Sequence, residues 1–241
     1  MNIIILGSSG GLGSSITNLL SRESANNLFC FQRKNERNNK KNCNFFYGDL
    51  NNFDKFKINI DNLNTKLTFN ALICNFGVTE KKISNNFNEQ IKTFENTISN
   101  NLFSTFKNVK YCLKKLKFKK HNSSFVFISS ISSHLGFPNN PGYISSKGAL
   151  NSLTRSLMRD YLSSGFRFNS ISPGYIKTKM TLGSWRNKRK FIEKHIPLRR
   201  WGKPDEIASV VEFLISTKSS YINGQDLIVD GGWSKNSFYI E

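Results

Sequence analysis

The chain has 241 residues, enough for one α/β domain and too few for two ordinary enzyme domains of about 100 to 200 residues each. Hydrophobic residues make up 38% of it, so it can build a buried core, and intrinsic disorder is excluded. Its 35 Lys and Arg against 16 Asp and Glu leave a formal net charge of +19, which raises a polyanion partner as the first possibility. A compositional source competes with that reading. Lys, Asn, Ile and Phe dominate, and these are residues that A/T-rich codons encode, so an A/T-biased genome drifts to this balance with no partner selecting it. Cys30, Cys43, Cys74 and Cys112 form no CxxC pair and no His-rich cluster, so neither a metal site nor a secreted disulfide framework is expected. No apolar run reaches the roughly 18 residues of a membrane span, and the amino terminus enters an apolar strand without a cleavable signal pattern. These features predict a reduced, cytoplasmic protein with no membrane partner.

Ile3-Ile4-Ile5-Leu6 is an uninterrupted apolar run, the pattern of a parallel strand covered on both faces. It ends in Gly7-Ser8-Ser9-Gly10-Gly11-Leu12-Gly13, after which Ile16, Leu19 and Leu20 recur at helical spacing. Further apolar runs at Leu28 to Phe31, Asn44 to Tyr47, Ala71 to Cys74, Phe125 to Ile128, Phe166 to Ile171 and Leu227 to Val229 read as strands, with helical periodicity between several of them. The polar stretch Lys34 to Lys41 reads as a solvated loop. Over Ser99 to Lys120, the positions of Leu102, Phe106, Val109, Leu113 and Leu116 describe one face of a long helix, opposite a lysine-rich face. There is no internal repeat and no Pro/Gly/Ser linker. The alternation predicts an α/β fold: a single doubly wound domain over residues 1–241, with a mainly parallel sheet and helices on both faces.

The glycines after the first strand carry the first chemical signal. Glycine permits a tight turn and a close backbone approach to a pyrophosphate, and the helix that follows aims its N–H groups and dipole at the anion. Taken alone the spacing is also that of a plain tight turn. At the end of the second strand, Phe31-Gln32-Arg33-Lys34 has no acidic residue to accept from a ribose 2′-hydroxyl, and it has two cations suited to a 2′-phosphate. NADP(H) is therefore favoured over NAD(H), with Arg33 the first contact and Lys34 the second.

Tyr143-Ile144-Ser145-Ser146-Lys147 spaces a phenol and an ammonium four residues apart, on one face of a helix, so the cation can stabilise phenolate and lower the Tyr143 pKa. Ser130 closes the strand that contains Phe125 to Ile128 and stands thirteen residues before Tyr143.

These motifs together resemble the short-chain dehydrogenase/reductase family. Gly7, Gly11 and Gly13 match its TGxxxGxG turn, with Leu6 in the place of the Thr. Gly48-Asp49-Leu50 resembles the adenine-contacting acidic position. Cys74-Asn75-Phe76-Gly77 resembles its NNAG turn, with Cys and Phe as departures. Ser172-Pro173-Gly174-Tyr175-Ile176-Lys177-Thr178 resembles the PGxxxT segment that faces the nicotinamide, and Gly224 to Trp233 the last strand. The resemblance runs from about Ile3 to Trp233. It implies a catalytic set of Asn101, Ser130, Tyr143 and Lys147, with Asn101 holding a proton-relaying water for Lys147. It also implies cofactor contacts at Gly7, Ser9, Gly11, Leu12, Gly13, Arg33, Asp49, Leu50, Asn75, Gly77, Tyr143, Lys147, Pro173, Gly174, Ile176 and Thr178.

The fold it implies is a Rossmann domain, assembled as a homotetramer or homodimer through helices that include Ser99 to Lys120. The reaction it implies is hydride transfer between nicotinamide and a carbonyl or secondary alcohol. The substrate cover is expected at 179–201, where Arg186, Lys188, Arg189, Lys190, Lys194, Arg199 and Arg200 stand with Trp185, His195 and Trp201. This cationic, aromatic segment suits a phosphate or carboxylate, and equally a solvated helix face. Within the family the chain is similar to 3-oxoacyl-[acyl-carrier-protein] reductases, whose partner is an acidic carrier protein. The docking cations of that group fall near Lys119-Lys120-His121 and near Ser163-Ser164, so one cationic position is approximate and the other absent. An oxidoreductase of an activated or surface-polysaccharide sugar is the rival. A nucleic-acid-binding protein on the same fold is a distant third, opposed by the complete Asn101, Ser130, Tyr143 and Lys147 set, and no specific nucleic-acid partner is expected.

Overall fold

In the computed structural model, residues 1–33, 40–64, 66–80 and 84–235 are described. The chain starts with β1 (Asn2–Leu6), α1 (Gly11–Leu20), β2 (Asn27–Gln32), β3 (Cys43–Tyr47), α2 (Phe53–Asp61), the two-residue β4 (Thr68–Phe69) and β5 (Ala71–Cys74). Then follow α3 (Phe87–Ile98), a π-helical turn at Ser99–Phe103, α4 (Ser104–Lys115), the two-residue β6 (Lys117–Phe118) and β7 (Ser124–Ile128). A 3-10 turn at Ile131–Ser133 leads to α5 (Pro141–Asp160), β8 (Arg167–Pro173), α6 (Leu182–His195), α7 (Pro204–Ile215) and β9 (Asp226–Val229).

Seven strands form one sheet in the order β3-β2-β1-β5-β7-β8-β9, every neighbouring pair parallel. The strand runs read from the sequence are these strands. Side chains alternate across the sheet, as a period of two requires. Ile4 and Leu6 enter one core with Phe29, Phe31, Phe125 and Phe168; Ile3 and Ile5 enter the other with Ile16, Leu28 and Ile207. The first core uses the phenylalanine excess: Phe125 and Phe168 stack at 4.4 Å, and Phe118 meets Phe125 at 4.9 Å.

Chain order reverses between β1 and β5, so the loops leaving their carboxyl ends diverge to opposite faces. A crevice opens there, the place where open α/β sheets bind ligands.

The helix expected over Ser99 to Lys120 has different bounds. It is helical from Phe87 to Lys115, interrupted by the π turn. At Leu116 the backbone becomes extended, and Lys117 and Phe118 pair with Thr68 and Phe69. The apolar period continues through this exit because Leu116 and Phe118 are both buried, in a short strand rather than a helical turn. No helix among the described residues is long and apolar enough to cross a membrane.

Candidate active site

The glycine turn is built by contacts that admit no side chain. Gly7 leaves β1 at φ 87°, a conformation that favours glycine. A Cβ on Gly13 would lie 2.0 Å from the Gly7 carbonyl oxygen, so α1 can approach the turn only with hydrogen at that position. The side-chain amide of Asn75, from the end of β5, donates to the same carbonyl at 3.0 Å. The hydroxyl missing at Leu6 is replaced from within the turn: Ser8 Oγ donates to Gln32 Oε1 at 3.1 Å, and Thr17 Oγ1 donates to the Ser8 carbonyl at 3.3 Å. No side chain caps the amino end of α1, and its first turn holds no acidic residue. Its N–H groups and dipole are left for an external anion.

A cleft of about 350 Å³ runs from this turn across the carboxyl edge of the sheet. Its walls bring together the expected cofactor contacts that are described, from Gly7, Ser9, Gly11, Leu12 and Gly13 through Arg33, Asp49, Leu50, Asn75 and Gly77 to Tyr143, Lys147, Pro173, Gly174, Ile176 and Thr178, and Ser130 stands among them. The residues present fit a dinucleotide: an uncapped helix end, a cradle closed to any Cβ, and the exposed Arg33 at the far end. Lys34 lies outside the described residues. The cleft also takes Gly10, Gln32, Asn51, Val78, Ser129 and Lys179 to Thr181 into its walls. Sequence reasoning did not single these out as contacts because they flank the motifs; Lys179 to Thr181 are readable only as the first residues of the expected cover.

Ser130 follows β7 in an extended conformation, and its Oγ accepts from the Ser132 N–H at 3.2 Å. Tyr143 sits in the first turn of α5, which Pro141 opens. Burial raises the Tyr143 phenol above its ordinary value, and a hydrogen bond from Ser130 opposes the rise. Lys147, one turn further, places its ammonium 5.7 Å from the Tyr143 ring centre and donates to the Ile128 carbonyl at 2.8 Å. The phenol expected to be lowered is thus raised, burial being the larger influence and Ser130 the opposing one. The ammonium is itself destabilised: burial pushes Lys147 down to about 8.

Asn101 occupies the π turn, an insertion that often marks functional positions. Its Oδ1 accepts from the Val78 N–H at 2.7 Å, and its Nδ2 donates to the Val78 carbonyl at 2.9 Å and to Ser146 Oγ at 3.0 Å. Ser146 Oγ donates in turn to the Tyr143 carbonyl at 2.7 Å. The side chain thus clamps the loop after β5 to α5, the helix that carries Tyr143 and Lys147. Both of its amide hydrogens are taken within the protein.

The cover begins where Thr178 packs on Gly11 and continues as α6. Ile192, Ile196 and Trp201 seat it on Tyr175 and Trp233. Several of its cations are already committed. Arg200 pairs with Glu206 at 2.6 Å and holds that carboxyl down at about 2. Arg189 pairs with Glu193 and, with Lys177, covers the Trp185 ring. Arg199 donates to the Lys194 carbonyl. Arg186, Lys188, Lys190 and Lys194 have no ion pair among the described residues. Lys119, Lys120 and His121 precede β7 and adjoin Ser163-Ser164 ahead of β8, His121 N–H donating to the Ser164 carbonyl at 3.0 Å. That places both expected docking positions at the opposite edge of the sheet from Ser130. No group of His, Cys, Asp and Glu among the described residues could hold a metal ion.

The comparisons with known proteins agree with this geometry. A family model described as Enoyl-(Acyl carrier protein) reductase matches residues 7–234. A 3-oxoacyl-[acyl-carrier-protein] reductase FabG of Rickettsia typhi is 32% identical over 236 residues, covering 95% of both chains. A short chain dehydrogenase family protein from Francisella tularensis superposes with a TM-score of 0.87 at 26% identity, over 98% of this chain and 99% of that one. A Brucella melitensis protein described as a short-chain dehydrogenase/reductase of the glucose/ribitol dehydrogenase type superposes at 0.85 with 29% identity, over 96% of each. With the parallel sheet, the glycine turn and the Ser130, Tyr143 and Lys147 cleft in one continuous match, the chain belongs to the short-chain dehydrogenase/reductase family of NAD(P)-dependent oxidoreductases.

Proposed function

We propose that the protein is an NADP(H)-preferring ketoreductase of 3-oxoacyl thioesters. The observation that carries the reading is that Ser130, Tyr143 and Lys147 line one cleft, which begins at the uncapped end of α1. When bound, the dinucleotide supplies the hydride that reduces the carbonyl carbon. Gly7 to Gly13 and the α1 amino end bind its pyrophosphate, and Arg33 takes the 2′-phosphate. Ser130 Oγ orients the substrate oxygen and stabilises the negative charge that grows on it. Tyr143 Oη delivers a proton to that oxygen, a phenol being protonated at neutral pH. Lys147 supplies a cation on the same helix face, and Asn101 fixes Val78 and Ser146 around the site.

The relatives matched over 95% of the chain support the carrier-bound thioester as substrate. A carrier held at Lys119, Lys120 and His121 would lie about a strand's length from the cleft. The exposed Phe103, in the π turn, and Phe106, on α4, support a homo-oligomer. Oxidation or reduction of a sugar is the second reading, favoured by the Brucella neighbour.

The deciding assay follows NADPH and NADH oxidation with an acetoacetyl carrier thioester, a crotonyl thioester and keto-sugar nucleotides. Reduction of the acetoacetyl thioester, reduced at least about 100-fold in Tyr143→Phe, is the expected result. Turnover confined to the sugars or to the crotonyl double bond rejects the thioester ketoreductase, and near-normal turnover by Tyr143→Phe with cofactor bound rejects the role of Tyr143.

A further inference from the structure

Asp226 opens β9 with a side chain only 11% exposed. A desolvated carboxylate is costly unless hydrogen bonds satisfy it, and this one is met from three other elements. Ser170 and Ser172 of β8 donate to Oδ1 at 2.8 and 2.9 Å. Asn151 of α5 donates to Oδ2 at 2.8 Å, and His134 Nε2 lies 2.5 Å from the same oxygen. His134 is the one titratable partner in contact with it among the described residues.

Two arms of this cluster reach Ser130. The amide of Asn151 gives one hydrogen to Asp226 and the other to Ser133 Oγ at 3.0 Å. Ser133 Oγ then donates to the Ser130 carbonyl at 2.6 Å, beside the Ser133 N–H at 2.9 Å. On the other arm, His134 ends the 3-10 turn that follows Ser130, its N–H donating to the Ile131 carbonyl at 2.9 Å. The Ser132 N–H that holds Ser130 Oγ belongs to that turn. The carboxylate therefore grips the turn through Ser133 and through His134, and the turn fixes where the Ser130 hydroxyl points.

We propose that Asp226 is a positioning residue for Ser130, acting through Asn151, Ser133 and His134. The proposal rests on the catalytic role given to Ser130 above. It does not require a particular substrate.

The experiment has two arms. In the first, amide exchange of the segment 130–135 is followed by mass spectrometry. Asp226→Asn keeps the shape and removes the charge, and Ser133→Ala cuts the last link should Asp226→Asn fail to fold. Either is expected to speed exchange of that segment by at least about tenfold at an unchanged urea midpoint, the signature of local opening, while Ser170→Ala, which loses a donor to Asp226 outside both arms, leaves it unaltered. In the second arm, reduction of the acetoacetyl thioester is measured in wild-type and Ser130→Ala backgrounds. Asp226→Asn is expected to lower kcat about tenfold with KM and NADPH affinity retained, the scale of a small misplacement of a catalytic group, and to change kcat by less than about twofold where Ser130 is already Ala, because no hydroxyl remains to aim.

Unchanged exchange in both Asp226→Asn and Ser133→Ala overturns the proposal whatever the substrate. Equal losses of kcat in the two backgrounds overturn it as well, since a merely structural role produces that result. A wild-type protein that reduces no keto thioester, combined with accelerated exchange in the variants, overturns the thioester reading and leaves the positioning role standing.

Discussion

Lys147 offers a test that reads the site through stability instead of turnover. Burial moves its pKa from an ordinary 10.5 to about 8, so between those values the unfolded chain binds more protons than the folded one. Stability from this group therefore rises with pH through the window, and below about pH 8 the protein carries the full cost of a buried ammonium. A shift of two to three pKa units corresponds to about 3 kcal/mol. Evaluated at two accessible conditions, the cost is about 3 kcal/mol at pH 6.5 and about 1 kcal/mol at pH 9.5, a difference of about 2 kcal/mol. Lys147→Met keeps an unbranched chain of similar length and removes the charge. The stability of the variant relative to wild type, without cofactor, should fall by about 2 kcal/mol from pH 6.5 to pH 9.5, or roughly 4 to 8 °C in relative Tm for a domain of this size. The comparison cancels the thiols and phenols remote from Lys147, which titrate alike in both proteins. Urea denaturation at the two pH values measures it, and a pH-independent difference between the two proteins would refute a desolvated Lys147.

Gly13→Ala places a Cβ 2.0 Å from the Gly7 carbonyl oxygen. Since the obstacle is backbone, the turn must shift, and NADPH affinity by calorimetry should weaken at least about tenfold; an unaltered Kd refutes the cradle. Arg33→Ala should cut the preference for NADPH over NADH about tenfold or more, the worth of one charge-assisted hydrogen bond, and an unchanged ratio of kcat/KM values removes Arg33 from the site. Phe125→Ala opens a cavity under the Phe118, Phe166 and Phe168 rings and should cost about 3 to 5 kcal/mol; a urea midpoint within about 1 kcal/mol of wild type contradicts the packing described for that core.

The site gathers its parts from loops at one edge of the sheet, and this explains its division of labour. Strand ends supply the fixed polar groups, Asn75 after β5 and Ser130 after β7, because the sheet ladder holds their backbone. The helix supplies Tyr143 and Lys147 one turn apart, the spacing at which two side chains share a face. Asn101 joins the two systems, bonding Val78 on the β5 loop and Ser146 on α5.

Periodicity and steric rules made much of this legible in the sequence. Short apolar runs bounded by turn residues and alternating with helical periods pointed to strands in βαβ units, so the parallel sheet was legible in the spacing. Gly7, Gly11 and Gly13 signalled a turn that excludes side chains, and the i, i+4 spacing of Tyr143 and Lys147 put phenol and ammonium together before any coordinates. The extent of the long helix was not legible, because an apolar period runs on through Leu116 and Phe118 although the backbone has become a strand. The state of the ions was hidden too. Whether Lys147 meets the phenol or the Ile128 carbonyl, and whether Arg200 is free or paired with Glu206, depends on partners far along the chain or on the path of the loop between them. The same holds for Asp226, an unremarkable acid in the sequence whose partners Asn151 and His134 stand 75 and 92 residues away. Local sequence determines which backbone conformations are cheap and which faces must be buried. Only the closed tertiary structure decides which polar groups lose water together, and that decides their charges and hydrogen-bond partners.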